Sequence, residues 1–190
     1  MAGSLEIICG PMFCGKTEEL LRRIRRARIA KQTVLVVKPK LDNRFGDEKV
    51  VSRAGVEMKA ETIALASHAI SGYRPIYDVV AFDEAQFFGP DIIETINYLI
   101  HLDTRVIVSG LDQDFRQHPF GYMHSLLAMA DEVTKLKAVC MKCHGEATTT
   151  QRLINGRAAP YTDDTILVGD SESYEARCRN CHEEGSTSTV

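Results

Sequence analysis

In the segment "ICGPMFCGKTEEL", Ile8 to Leu20, an apolar run leads into a glycine-flanked loop. Residues 10–17 fit the pattern G-x-x-x-x-G-K-[ST], with a strand pattern before them and a helix pattern after them. The glycines permit turns that aim backbone N–H groups inward, and the following helix adds its positive N-terminal end. The pattern therefore predicts a phosphate-binding loop.

Two side chains of this loop have predicted tasks in holding a nucleotide. Lys16 would reach the β- and γ-phosphates of ATP, and the Thr17 hydroxyl would ligate Mg²⁺. The predicted ATP-binding residues of the loop are Gly10, Pro11, Met12, Phe13, Cys14, Gly15, Lys16 and Thr17.

Further along, short apolar strand patterns alternate with helix patterns, which indicates an α/β, doubly wound, mainly parallel sheet with ligands beyond the strand C-termini. Asp91 and Glu94 are expected to form a capping box on the helix after the third strand. The predicted strands are Leu5–Cys9, Thr33–Lys38, Val79–Phe82 and one within 105–115, and the first predicted helix is Thr17–Lys31.

Two adjacent acids follow the third predicted strand, "VVAF". An aspartate at this place, Asp83, is typical of the second Mg²⁺-binding element of phosphate-loop proteins. The neighbouring Glu84 could accept a proton from the attacking oxygen. The pair does not identify the acceptor of the phosphoryl group, because the same arrangement could activate water in an ATPase. Asp42 and Arg44 lie beyond the second strand, where position alone leaves open a role at the phosphates or ordinary surface charge.

The composition is that of a soluble globular protein, with 44% hydrophobic and 26% charged residues. No apolar run approaches the ~18 residues of a membrane span, and the N-terminus lacks a secretory pattern, so a cytoplasmic protein without a membrane partner is expected. The net charge of −3 argues against general nucleic-acid binding. The basic run from Arg22 to Lys31 is accordingly interpreted as a solvated helix face or a subunit contact.

Four cysteines form two C-x-x-C pairs, which predict a structural, tetrahedral zinc site. Because His144 and His182 follow the pairs, both also fit the haem-attachment pattern, which a phosphate loop and the lack of a signal disfavour. Either histidine remains an alternative zinc ligand. The predicted ligands are Cys140, Cys143, Cys178 and Cys181.

The separation of the two pairs, residues 144–177, exceeds the ~15–20 residues of a compact zinc ribbon. Long loops of this kind are often lids. We therefore divide the chain into a phosphate-loop domain, 1–137, a small zinc-ribbon-like domain with a lid loop, 138–183, and a tail, 184–190. A covering lid indicates a small acceptor.

Several segments together resemble the thymidine kinases of the cytosolic, zinc-containing type. They occur in order from Leu5 to Cys181 and are much more specific than the loop alone. They are "GPMFCGKTEELLRRIRR", "VVKPKLDNRF", "FDEAQFF", "GLDQDFRQHPFG", "KLKAVCMKC" and "VGDSESYEARCRNC".

This resemblance implies transfer of the ATP γ-phosphate to the 5′-hydroxyl of thymidine, which yields thymidine monophosphate for DNA synthesis. Glu84 matches the general base, while Asp42, Asn43, Arg44, Asp83 and Gln86 match nucleotide-contacting segments. The residues matching the lid and the base pocket are Met12, Leu111, Phe115, Thr165, Ile166, Leu167, Val168, Gly169 and Tyr174. The resemblance also implies Mg²⁺ with ATP, a homotetramer, and feedback inhibition by thymidine triphosphate.

Two other functions stay open. One is a kinase of another nucleoside, such as deoxyuridine, because one methyl group is worth only ~1–3 kcal/mol in discrimination. The other is a zinc-ribbon ATPase that binds nucleic acid, which the net charge and the lid disfavour.

Overall fold

The computed structural model of the protein describes residues 2–40, 49–51, 57–71, 77–165 and 174–185. The elements are short and alternate along the first two thirds of the chain. The strands are β1 (Ser4–Cys9), β2 (Val34–Pro39), β3 (Lys49–Val51), β4 (Glu57–Lys59), β5 (Glu61–Ile63), β6 (Val79–Phe82), β7 (Arg105–Gly110), β8 (Glu132–Lys135), β9 (Ala138–Val139), β10 (Glu146–Ala147), β11 (Thr149–Ile154), β12 (Arg157–Ala158) and β13 (Tyr174–Arg177). The helices are α1 (Lys16–Ile29), α2 (Asp91–His101) and α3 (Met123–Met129).

Six strands form the main sheet in the order β5-β2-β6-β7-β1-β8, and every neighbouring pair is parallel. This confirms the predicted α/β fold class, and the four predicted strands are the four at its centre. The two edge strands were not predicted. β5 is only three residues long, and β8 is mostly exposed and polar, which is how sheets commonly blunt their edges.

The sheet buries both faces, because successive strand residues point to opposite sides. In β1, Ile7 packs into one core with Ile92 of α2, while Ile8 packs into the other with Leu20 and Ile24 of α1. All five side chains are fully buried. Helices on both faces leave only the ends of the strands for ligands.

The predicted capping box on α2 is wrong. Pro90 occupies the N-cap position, and Asp91 is the first helical residue without a side-chain capping bond. The Asp91 carboxylate instead accepts the backbone N–H of Ser67 at 2.9 Å. It therefore ties the helix start to a neighbouring turn.

The interpretation of the basic run of α1 as a solvated face is wrong for Arg23. Its guanidinium is 7% exposed and contacts Glu6 at 2.6 Å and Glu19 at 2.8 Å. Arg105 binds the same Glu6 carboxylate through a second guanidinium. Arg22, by contrast, is 57% exposed, and its ion pair among the described residues is with Glu19. One arginine of the run is thus a buried structural charge.

These arginines lower the pKa of both acids. A hydrogen bond from Arg22 is the largest influence on Glu19, and with that from Arg23 it lowers the pKa of Glu19 to about 2. Burial raises the pKa of Glu6, but hydrogen bonds from Arg105 and Arg23 outweigh it, so the pKa of Glu6 lies below its ordinary value. Both carboxylates therefore stay ionised in mildly acidic solution.

Beyond the main sheet the described chain is built from short antiparallel ladders, β9 with β10, and β11 with β12 and β13. The sheet's last strand ends at Lys135 and β9 begins at Ala138. The division of the chain at residue 137 nevertheless stays a prediction, as does the tail. Among the described residues no helix combines the length and apolarity needed to cross a membrane.

Candidate active site

The predicted phosphate loop follows the C-terminal end of β1. Since β6, β7, β1 and β8 are neighbours and parallel, the segments after all four strands emerge at one edge of the sheet. Leu136, just after β8, donates its N–H to the Cys9 carbonyl at 2.8 Å. This edge carries the loop, the Asp83–Glu84 pair and the segment after β7.

The backbone of the loop requires its two glycines. Gly10 has φ +139°, and a Cβ there would lie 2.4 Å from the Leu136 carbonyl oxygen. Gly15, with φ +86°, precedes α1. The Lys16 ammonium lies back over the loop and donates to the Pro11 carbonyl at 2.7 Å. The loop thus presents a helix N-terminus and a cation together, as an anion site needs.

Asp83 directly follows β6, and its N–H extends the parallel pairing by binding the Val37 carbonyl at 2.9 Å. Asp83 is buried, at 6% exposure, whereas Glu84 is half-buried. Glu84 has φ 50° and ψ 43°, in the left-handed region that a non-glycine residue rarely adopts. Such backbone strain concentrates at functional sites.

A buried amide fixes the orientation of the Glu84 carboxylate. Gln86 Nε2 donates to Glu84 Oε2 at 2.6 Å, and Gln86 Oε1 accepts the N–H of Leu111 at 2.9 Å. Gln86 is 3% exposed, and a Cβ on Gly121 would lie 2.3 Å from its carbonyl oxygen. The hydrogen bonds of Gln86 to Glu84 and Leu111 therefore join the ends of β6 and β7.

The phosphate loop also touches the cysteine-bearing part of the chain. The Met12 N–H donates to Thr150 Oγ1 of β11 at 3.0 Å. Cys14 packs against a small cluster that contains Ala138, Cys140 and Ala176. The phosphate loop and the cysteine-bearing region are therefore in direct contact.

The four predicted zinc ligands converge. Their sulfur atoms all lie within 4.8 Å of one another, and Cys143 Sγ is 3.7 Å from Cys178 Sγ. A tetrahedral site with Zn–S bonds of ~2.3 Å has sulfur–sulfur edges of about 3.8 Å. The donor set and its spacing therefore fit zinc, as predicted.

The electrostatics of these thiols favour a bound cation. Burial raises the pKa of Cys140, but hydrogen bonds from the amides of Cys143, Cys178 and Lys142 outweigh it and lower this pKa to about 6. Hydrogen bonding with Cys178 and Cys143 raises the pKa of Cys181 to about 12. The Cys140 thiol therefore ionises more readily than the Cys181 thiol. A bound dication would stabilise all four cysteines as thiolates.

The two histidines next to the cysteine pairs differ. His144 is exposed, and the described residues offer its ring no hydrogen-bond partner. His182 is half-buried, and its ring contacts Phe115 and Gln117 rather than the cluster. Burial lowers the pKa of His182, which favours the neutral ring. The described geometry therefore favours the four cysteines over the histidine alternatives.

Phe115, predicted to pack on the base, is 3% exposed. The guanidinium carbons of Arg116 and Arg152 lie 5.2 and 5.3 Å from its ring centroid, and Tyr161 meets its ring edge-on. Such cation–π contacts contribute ~0.5–2 kcal/mol each. The Phe115 ring thus lies within a charged and aromatic cluster.

The predicted lid is described only at its two ends. Thr165 is half-buried, and Tyr174 opens β13, where it pairs with Arg152. The remaining predicted residues lie outside the described residues: Asp42, Asn43, Arg44, Ile166, Leu167, Val168 and Gly169.

Sequence reasoning missed the residues around Phe115 and the bridging contacts of Gln86. Arg116, Arg152, Tyr161 and His182 come from separate segments of the chain, and no spacing pattern links them. For Gln86 the available signal was its place two residues after Glu84, at the end of a buried strand.

Comparison with known proteins adds two findings. The sequence profile of a family described as "Thymidine kinase" matches residues 3–182. A solved structure titled "Crystal structure of DNA replication initiation factor" is 13% identical to this chain, with a TM-score of 0.43. That alignment covers 70% of this chain and 40% of the other, and so weak a likeness carries no argument.

Proposed function

Because this chain belongs to the thymidine kinase family, we propose that it transfers the γ-phosphoryl group of ATP to the 5′-hydroxyl of thymidine. The observation that carries the proposal is the family match over residues 3–182, which includes both the phosphate loop and all four clustered cysteines. The products are thymidine monophosphate and ADP, and the reaction salvages a nucleoside for DNA synthesis.

The loop residues 10–17 bind the phosphates of ATP in this proposal. Lys16 and the N–H groups at the start of α1 neutralise charge on the β- and γ-phosphates. The Thr17 hydroxyl and the Asp83 carboxylate supply oxygen ligands of the type that Mg²⁺ prefers. When bound, that ion would offset the charge that develops on the phosphate oxygens.

Glu84 acts as the general base. Its carboxylate takes the proton of the 5′-hydroxyl as that oxygen forms its bond to the γ-phosphorus, while the bond from phosphorus to the bridging β-oxygen breaks and ADP leaves. The hydrogen bond from Gln86 supports this role, because it fixes the orientation of the Glu84 carboxylate. The proton count balances, with one proton moved to Glu84 for each phosphoryl group transferred.

The acceptor lies beneath the predicted lid between Thr165 and Tyr174, with Met12, Leu111 and Phe115 as predicted contacts of the base. A covered site excludes water and thereby favours transfer over hydrolysis. Zinc held by the four cysteines has a structural role, since the four thiolates complete a tetrahedron and leave no open position.

The test is ATP consumption with and without thymidine, with thymidine monophosphate identified as a product. ADP formation is expected to be slow alone and to rise strongly with thymidine. 5′-Deoxythymidine is the matched control, because it keeps the base and lacks the acceptor oxygen. ADP released equally fast with no nucleoside would contradict the proposal.

Two competing functions have distinct outcomes in the same assay. Competition between thymidine and deoxyuridine decides whether another nucleoside is the better substrate. ATP hydrolysis stimulated by single-stranded DNA, without any nucleoside, would instead support a nucleic-acid-dependent ATPase. The burial of Arg23 among carboxylates removes one cation from the helix face on which that alternative would depend.

We further propose a cytoplasmic homotetramer that thymidine triphosphate inhibits, with no nucleic-acid or membrane partner. These properties come from the resemblance and the composition alone. Sedimentation of the purified protein and inhibition by the triphosphate test them separately.

A further inference from the structure

The two cysteine pairs have the same spacing and are each followed by a histidine, yet within the described part of the chain only the His182 ring bonds to residues outside the cysteine pairs. His144 is exposed, with a ring that has no hydrogen-bond partner among the described residues. The His182 ring uses both nitrogens. The difference assigns His182 a task beyond the cysteine cluster.

The contacts of His182 define its tautomer. Nε2 lies 3.0 Å from the Phe115 carbonyl oxygen, which can only accept, so Nε2 carries the proton. Nδ1 then accepts from Gln117 Nε2 at 3.1 Å, and the Tyr161 hydroxyl lies 3.5 Å away. One imidazole therefore holds the Phe115–Gln117 segment at two points.

The cysteine pair itself anchors this imidazole. His182 directly follows the ligand Cys181, and its N–H donates to the Cys178 carbonyl at 3.0 Å. The next residue, Glu183, donates its N–H to Gln151 Oε1, and its carbonyl accepts from Gln151 Nε2. Gln151 is fully buried. The position of the ring is thus set on both sides by the chain that carries the metal ligands.

The segment that His182 holds also reaches the base of the predicted lid. Arg116 donates to the Asp163 carbonyl, and Arg152 donates to the Asp164 carbonyl at 2.6 Å. Both arginines lie against the Phe115 ring. Asp163 and Asp164 immediately precede Thr165, where the predicted lid begins.

We propose that His182 is a positioning residue for the nucleoside: it holds Phe115 and the Asp163–Asp164 segment in register with the Cys178–Cys181 pair. This inference rests on the proposed function, in which Phe115 contacts the base. Among the described residues, the His182 ring bonds to Phe115, Gln117 and Tyr161, on the side of the site where the nucleoside is proposed to bind. We therefore expect His182 to affect thymidine affinity more than phosphoryl transfer.

The experiment compares His182→Ala, His182→Gln and His182→Asn with the parent and with His144→Ala, the matched control at the equivalent position. We expect His182→Ala to raise the KM for thymidine about tenfold, with kcat and the KM for ATP within about twofold of the parent. Zinc content and the melting temperature should match the parent. Calorimetric titration with thymidine should show the same loss of affinity.

The two amide variants test the specific hydrogen bond. The nitrogen of a glutamine amide lies near the place of Nε2, whereas that of asparagine lies nearer Nδ1. His182→Gln should therefore restore most of the thymidine affinity, and His182→Asn should behave like alanine.

Three results would overturn the inference: an unchanged thymidine KM in His182→Ala, equal behaviour of the glutamine and asparagine variants, or zinc loss in parallel with affinity. A parent that makes ADP independently of thymidine would instead contradict the proposed function. The two failures are thus distinguishable.

Discussion

The C-terminal ends of the parallel strands and the cysteine cluster position their functional groups in different ways. At the sheet edge, each group directly follows a strand, and main-chain bonds such as that from Asp83 to Val37 fix its position. In the cluster, two pairs separated by residues 144–177 meet through side chains that share negative charge. Main-chain pairing positions the groups of the first arrangement, whereas the second brings together four thiols whose donor set fits a cation.

Replacing one cysteine of the cluster is expected to have the largest effect on stability and zinc content. In Cys178→Ser three thiolates remain, and binding of structural zinc in small folds amounts to about 10–16 kcal/mol, so the stability loss is on the order of 5 kcal/mol. We expect about one zinc per chain in the parent and almost none in the variant after dialysis against a chelator, measured by metal analysis.

The control for this replacement is Cys14→Ser, which changes a cysteine outside the cluster and should retain the metal. Zinc-free parent protein with an unchanged melting temperature, or a haem absorption band, would contradict the assignment.

At the sheet edge the largest effect is expected on turnover rather than stability. Glu84→Gln keeps the size of the side chain but cannot accept a proton, so kcat should fall about 10²–10⁴-fold. This equals ~3–5.5 kcal/mol of barrier at ~1.36 kcal/mol per decade. The measurement is kcat beside ATP affinity, which should stay within a few-fold of the parent.

Lys16→Ala is the comparison for the glutamate variant. It should weaken both ATP affinity and kcat, because the lysine contacts phosphate before and during transfer. Retention of more than about a tenth of the parent kcat in Glu84→Gln would exclude it as the base.

A smaller effect is expected at the Arg23 ion cluster, which joins α1 to β1 and β8. Arg23→Met leaves Glu6 with one fewer partner, and removal of one member of a buried ion pair costs about 3–5 kcal/mol. Arg22→Met on the same helix should change the stability far less, because Arg22 is exposed and its ion pair is screened by solvent. Urea unfolding of both variants measures the difference, and equal losses would show that burial of Arg23 contributes nothing.

The smallest effect is the pH dependence of this ion cluster. The lowered pKa values of Glu6 and Glu19 mean that their stabilisation is complete above their unfolded pKa of ~4.3 and is lost as the pH falls through the folded value, about 2 for Glu19. The difference in unfolding free energy between parent and Arg23→Met should therefore shrink from pH 5 to pH 2.5.

Loss of bound metal in acid is expected in both the parent and Arg23→Met. Its effect therefore cancels in the difference between their unfolding free energies. A difference that stays constant over this range would contradict a contribution of Arg23 to these pKa shifts beside those of Arg105 and Arg22.

The central sheet was predictable because its signals are local. Apolar strand runs, a glycine-flanked loop and acids after "VVAF" each occupy a few consecutive residues, and parallel pairing then brings the strand ends together. The edge strands β5 and β8 escaped prediction because a short or solvated strand carries little apolar pattern. The capping-box prediction was wrong because Pro90 occupies the N-cap position and the Asp91 carboxylate accepts the N–H of Ser67, which is distant in sequence.

The sequence by itself determined the fold class, the phosphate loop and the identity of the four clustered cysteines, because chain geometry and ligand spacing restrict those residues locally. Three contacts became apparent from the folded structure: Gln86 orients Glu84, Arg23 is buried, and His182 rather than His144 contacts Phe115. These contacts join segments far apart in the chain. Two histidines in the same C-x-x-C-H pattern are indistinguishable until packing places one against a carbonyl and leaves the other in solvent.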